Sequence, residues 1–84
     1  MLTSAALRDL SAEVLAALQE GLPHEGLPLV DHVEVSSGRG TTHLVSICSG
    51  MSEHQVGNQL QEAIHRIVAG VMCGRRHVVR IIWA

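Results

Sequence analysis

The chain has 84 residues, enough for a single domain over residues 1–84, and 46% of them are hydrophobic although Trp83 is its one aromatic residue. We therefore expect a thin, aliphatic core. The formal net charge of −2 argues against strong non-specific attraction to a polyanion. No signal peptide is recognisable, no stretch reaches the ~20 apolar residues of a membrane span, and Cys48 and Cys73 lack metal-site spacing. These features predict a reduced cytoplasmic protein with two free thiols.

The first half of the chain predicts one helix and two strands. Leucines and a valine at helical spacing indicate a helix over residues 4–19, which Gly21 and Pro23 end. The next turn-rich segment, GLPHEGLP, reads as a connector. Alternation then predicts a strand over residues 29–35, a hairpin loop over residues 36–40 and a returning strand over residues 42–48.

The second half predicts a long amphipathic helix and a last strand. Ser52 and Gln55 have the spacing of a capping box, and the helix extends from there to about residue 74. Its apolar stripe consists of Val56, Leu60, Ile64, Ile67, Val68, Val71 and Met72. The strand over residues 75–84 is apolar on both faces, which favours either a central strand or a surface that meets a partner.

The order helix, strand, strand, helix, strand predicts an α+β fold. A hairpin followed by a right-handed crossover helix gives a three-stranded mixed sheet with both helices on one face. The other face then carries several apolar side chains, namely Val30, Leu44, Cys48, Val78 and Ile82. We expect that face to form a homodimer or to dock on a larger protein partner.

Residues that could carry chemistry are few. No nucleophile stands in a motif with a base and an oxyanion hole, so we expect neither an enzyme nor a bound cofactor. Four of the six basic side chains, Arg66, Arg75, Arg76 and Arg80, fall near the end of the long helix and predict a phosphate-binding corner. Alternatively, Arg75 and Arg76 merely complement the carboxyl end of that helix. A second hypothesis is a zinc or copper site formed by His32, His43 and His77.

The element order resembles type II KH-like folds, and the chain is most similar to ribosome-binding factor A over residues 29–83. The likeness rests on the run Val33-Glu34-Val35-Ser36 and on Leu60, Ala63, Arg66, Arg76, Val78, Ile81 and Trp83, where Ala63 stands at the family's helix-kink glycine. It implies binding to structured RNA, specifically the small ribosomal subunit during its maturation.

Two further families share the element order. Thr42, His43 and His77 resemble positions of BolA-like proteins, and the hairpin glycines resemble those in the cytoplasmic domains of cation diffusion facilitators. The latter likeness implies a dimer built through the sheet. Two functions are therefore expected: a non-catalytic module that binds ribosomal RNA or a ribonucleoprotein, or a dimeric, metal-responsive protein-interaction domain.

Overall fold

The first helix, α1, spans Ser4–His24 and so continues past its predicted end at residue 19. The computed structural model describes residues 2–84 apart from the side chain of Val56, a member of the predicted helix stripe. Pro23 lacks the N–H that would bond to the carbonyl of Gln19, but Leu22 is completely buried, and this burial offsets the lost bond.

A glycine beyond the predicted stop ends α1. Gly26 has a φ of 70°, which is accessible to glycine without strain. Its N–H donates to the carbonyl of Pro23, and the N–H of Leu27 donates to the carbonyl of Leu22, each at 3.0 Å. This pair of bonds is a Schellman motif, the usual ending of a helix whose final carbonyls need partners.

The three strands are β1 at His32–Ser37, β2 at His43–Cys48 and β3 at His77–Ile82. They form one mixed sheet in the order β1-β2-β3, with β1 antiparallel to β2 and β3 parallel to β2. The predicted α+β fold class is therefore confirmed. The central-strand interpretation of the last segment is wrong, because β2 is central and β3 lies at the sheet edge.

The second helix, α2, spans Glu53–Val71 and crosses from β2 to β3. The side chain of Gln55 accepts a 2.9 Å hydrogen bond from the N–H of Ser52, as the capping-box spacing predicts. The helix is broken at Gly57, whose φ of 60° and ψ of −154° are not helical. No helix in the described part of the chain is long and apolar enough to cross a membrane.

The core lies between the helices and one face of the sheet. It is formed by Leu10, Val14, Leu18, Leu22, Val30, Val33, Val35, Val45, Ile47, Leu60, Ala63, Ile64, Val68 and Met72. Val30 was expected on the uncovered face but is buried, whereas Leu29 is half exposed. The reason is that β1 starts at His32, so the alternation of side chains does not extend back to residues 29 and 30.

The edge of β1 is tied to α1 through one side chain. The Oγ of Ser11 accepts a 2.8 Å hydrogen bond from the N–H of Val35 and donates one of 2.8 Å to the carbonyl of Leu7. This arrangement gives a partner to a half-buried donor at an edge that is open to pairing with other chains.

We expect Ser11→Ala to lower the free energy of unfolding by about 1 kcal/mol, because the N–H of Val35 loses its acceptor. Denaturant unfolding measures this change, and amide hydrogen exchange at Val35 locates it. Unchanged exchange at Val35 would contradict the assignment of Ser11 as its partner.

Candidate functional site

Arg66, one of the four arginines of the predicted corner, already forms an ion pair. Its guanidinium bonds to the carboxylate of Glu25, which lies just after α1. Among the described residues, it is the one ion pair with a nitrogen–oxygen distance within 4 Å. A phosphate would therefore have to compete with Glu25 for Arg66.

Arg80 lies on a different surface from the other three arginines. It alternates along β3 with Val79 and Ile81, which pack against the core, so it points away from the helices. Arg75 and Arg76 follow α2 and are exposed. The four predicted residues thus occupy three separate places, and the corner expected from their sequence order is not assembled.

The fold instead places Arg39 at the same end of the sheet as Arg75 and Arg76. Because β2 and β3 run parallel with His43 opposite His77, the hairpin loop before β2 and the connection before β3 lie at the same end of the sheet. Residues 38–42 and 72–76, which form these two connections, contain three arginines and no acidic residue. We call this end, defined by Arg39, Arg75 and Arg76, the basic end.

Sequence reasoning missed Arg39 although the signal was present. A strand, crossover helix and parallel strand place the start of the second strand beside the start of the first. The predicted topology therefore already implied that the hairpin loop and the helix–strand connection are neighbours.

The opposite end of the molecule carries negative charge. Asp31 precedes β1 and Glu53 begins α2, whereas residues 26–31 and 49–53 contain no arginine. The net charge of −2 is consequently not spread evenly. Near the basic end, Asp9 and Glu13 of α1 line a shallow groove that also includes Arg75, which limits the positive surface on that side.

An open cleft of about 440 Å³ lies at the basic end. It is lined on one side by Arg75 and on the other by the hairpin, including Gly40, Thr41, Thr42 and His43. The hairpin is closed by a 2.7 Å bond from the N–H of Gly38 to the carbonyl of Thr42. Guanidinium and hydroxyl groups are the donors that phosphate oxygens usually meet in proteins.

Two histidines hold the backbone of the basic end. Nδ1 of His43 lies 3.3 Å from the carbonyl of Arg76, and Nδ1 of His77 lies 3.0 Å from the carbonyl of Arg75. Since a carbonyl oxygen only accepts, these contacts require the proton on Nδ1 in each ring. Both histidines thus position the connection that carries the two arginines.

The three histidines of the metal hypothesis are not brought together. His43 is opposite Ser37 and His77, whereas His32 is paired with Cys48 at the other end of the sheet. Among the described residues, no group of three or more His, Cys, Asp or Glu side chains is placed to hold a metal ion. The predicted metal site of His32, His43 and His77 is therefore wrong for a single chain. Because β1 runs antiparallel to β2, its first residue, His32, lies at the end of the sheet opposite to His43 and His77.

The break in α2 also differs from the position that the resemblance implied. Ala63 is helical and buried, and the break lies at Gly57. KH domains clamp the nucleic-acid backbone with a GxxG loop. Residues 57–60 read GNQL, and Leu60 is fully buried in the core. A nucleic acid would therefore have to be held by other residues of this chain.

No protein-family model, curated protein or solved structure matches the chain. Its function has to be inferred from its own residues.

Proposed function

We propose that this protein is a small, non-catalytic KH-like module of the cytoplasm that binds the phosphates of a structured RNA or ribonucleoprotein, such as the small ribosomal subunit, at its basic end. The observation that supports this function best is the separation of charge. Arg39, Arg75 and Arg76 lie at one end of the sheet, in two connections that carry no acidic residue. Arginine matches phosphate geometry with two parallel hydrogen bonds.

The charge distribution favours one orientation on a polyanion. An RNA attracts the basic end and repels the end that carries Asp31 and Glu53. Trp83, the one tryptophan, follows β3 at the end of the sheet remote from Arg39, Arg75 and Arg76. Bases therefore find no tryptophan, tyrosine or phenylalanine platform at the basic end. Recognition then depends on the shape of the phosphate backbone more than on base sequence.

We expect R75A/R76A to weaken binding of a fluorescent hairpin RNA by about thirtyfold, since two charge-assisted contacts are lost at roughly 1 kcal/mol each after screening. Fluorescence anisotropy measures the affinity. Adding Arg39→Ala to this variant should weaken binding further. Co-sedimentation with purified small ribosomal subunits provides the same comparison on a ribonucleoprotein.

The matched control is R8A/R66A, which removes the same number of positive charges from the two helices. We expect it to bind the hairpin RNA within about threefold of the parent, because neither Arg8 nor Arg66 belongs to the basic end. Any effect of net charge alone is shared by both variants. Equal losses in R75A/R76A and R8A/R66A would contradict a site at the basic end.

A second candidate function is a protein-interaction domain that acts through the sheet face remote from the helices. The observation that favours it is the exposure of Val78 and Ile82, at 55% and 43%, on that face. Apolar side chains grouped on one surface commonly mark an interface. A metal response of this domain could not use His32, His43 and His77 of one chain together, because His32 lies far from the other two histidines.

A further inference from the structure

The sheet face that points away from both helices has a regular arrangement of side chains, which we call the outer face. Strand register places its residues in three rows, each crossing the sheet from β1 through β2 to β3. The rows are His32, Cys48 and Ile82; Glu34, Ser46 and Arg80; Ser36, Leu44 and Val78.

The apolar members of the outer face flank its charged middle row. Val78 and Ile82 are exposed, and Leu44 and Cys48 are half-buried. The core lies on the other side of the sheet, together with α1 and α2. The outer face therefore has a polar middle row, flanked on β2 and β3 by apolar side chains and on β1 by His32 and Ser36.

Glu34 and Arg80 mark the two ends of the middle row. Ser46 lies between them, so their strands are about 9.6 Å apart. Both are exposed, and neither takes part in the ion pair that the described residues form. The outer face thus carries a negative group along one edge and a positive group along the other.

We infer that a second copy of this chain covers the outer face, related by a two-fold axis that runs along β2. This inference rests on the second candidate function and names its partner. Rotation about that axis sets β1 of one copy over β3 of the other, so Glu34 faces the partner's Arg80 and Arg80 faces the partner's Glu34. A two-fold axis across the strands would instead oppose like charges, which is unfavourable.

The same axis determines what else meets in the interface. Leu44, Ser46 and Cys48 of the central strand face their own counterparts. Val78 covers the partner's Ser36, and Ile82 covers the partner's His32. Sheets that pack face to face lie about 10 Å apart, a separation that glutamate and arginine side chains can bridge. Apolar area on either side of the middle row is removed from water.

The axis also sets how the basic ends are arranged. Because it runs along the strands, both copies direct their hairpins toward the same end of the dimer. Arg39, Arg75 and Arg76 are then presented twice on one side of the assembly. Such a bivalent surface would strengthen attachment to an RNA that spans both copies.

Light scattering on the protein without RNA tests the dimer separately from the RNA proposal. We expect the parent to have twice the 9.0 kDa mass of the chain. Arg80→Glu sets carboxylates opposite each other and should weaken dimerisation by about a hundredfold. The double variant E34R/R80E exchanges the charges and should restore the dimer, with circular dichroism confirming that each variant is folded.

A thiol crosslink tests the axis itself. In the Cys73→Ser background, a short bismaleimide should join Cys48 to the partner's Cys48, whereas the Cys48→Ser protein, which keeps exposed Cys73, should remain uncrosslinked. A monomeric parent, a dimer that Arg80→Glu does not weaken, failure of E34R/R80E to restore it, or crosslinking through Cys73 alone would overturn the inference.

Discussion

Leu22→Ala is expected to lower the free energy of unfolding by about 3 kcal/mol, because truncating a fully buried leucine removes apolar contacts and leaves a cavity. Leu22 has no exposed surface and packs in the core with Val14 and Leu18 of the same helix. For a domain of this size, such a loss is a large share of the total stability. Urea unfolding followed by circular dichroism measures it.

Leu29→Ala is the matched control for Leu22→Ala. Leu29 is the same residue type and follows a few residues later, in the connection between α1 and β1, but half of it is exposed. We expect its truncation to change the free energy of unfolding by less than about 0.5 kcal/mol. Similar losses in the two variants would show that α1 does not continue through Leu22 into the core.

Gly57→Val is expected to destabilise the protein by about 2 kcal/mol. The φ of 60° and ψ of −154° at Gly57 belong to a region that is essentially restricted to glycine. An added Cβ would meet no atom within 4 Å, so the expected cost comes from the backbone and not from a clash. Thermal unfolding with backbone amide NMR spectra measures both stability and the state of the break.

Gly70→Ala serves as the opposite-sign control in the same helix. Gly70 has helical geometry, is exposed, and its added Cβ would also meet nothing within 4 Å. Alanine should therefore stabilise α2 by about 0.5–1 kcal/mol. If Gly57→Val were stabilising as well, the break at Gly57 would be contradicted and α2 would be a continuous helix in solution.

The element order follows from sequence periodicity, whereas the end of α1 depends on tertiary packing. Apolar spacing places both helices and all three strands. The end of α1 was expected before Gly21 because glycine and proline usually stop helices. Burial of Leu22 outweighs that local preference, and the termination passes to Gly26, where the Schellman bonds form.

The candidate site was predictable only in part, because it combines residues that are distant in the chain. Arg75 and Arg76 were identified from sequence, and Arg39 follows once β2 and β3 are known to be parallel. The ion pair between Arg66 and Glu25 depends on the path of the chain after α1. Sequence periodicity does not specify that path. Likewise, the position of Glu34 two strands from Arg80 becomes visible only with the register.

The salt dependence of RNA affinity tests the central claim, that phosphates bind at the basic end. Each lost phosphate contact reduces the slope of log affinity against log salt concentration by about 0.7–0.9. We predict that R75A/R76A flattens the parent slope by roughly 1.5, while R8A/R66A leaves it unchanged. A parent slope near zero, or one that R75A/R76A does not alter, would contradict the claim.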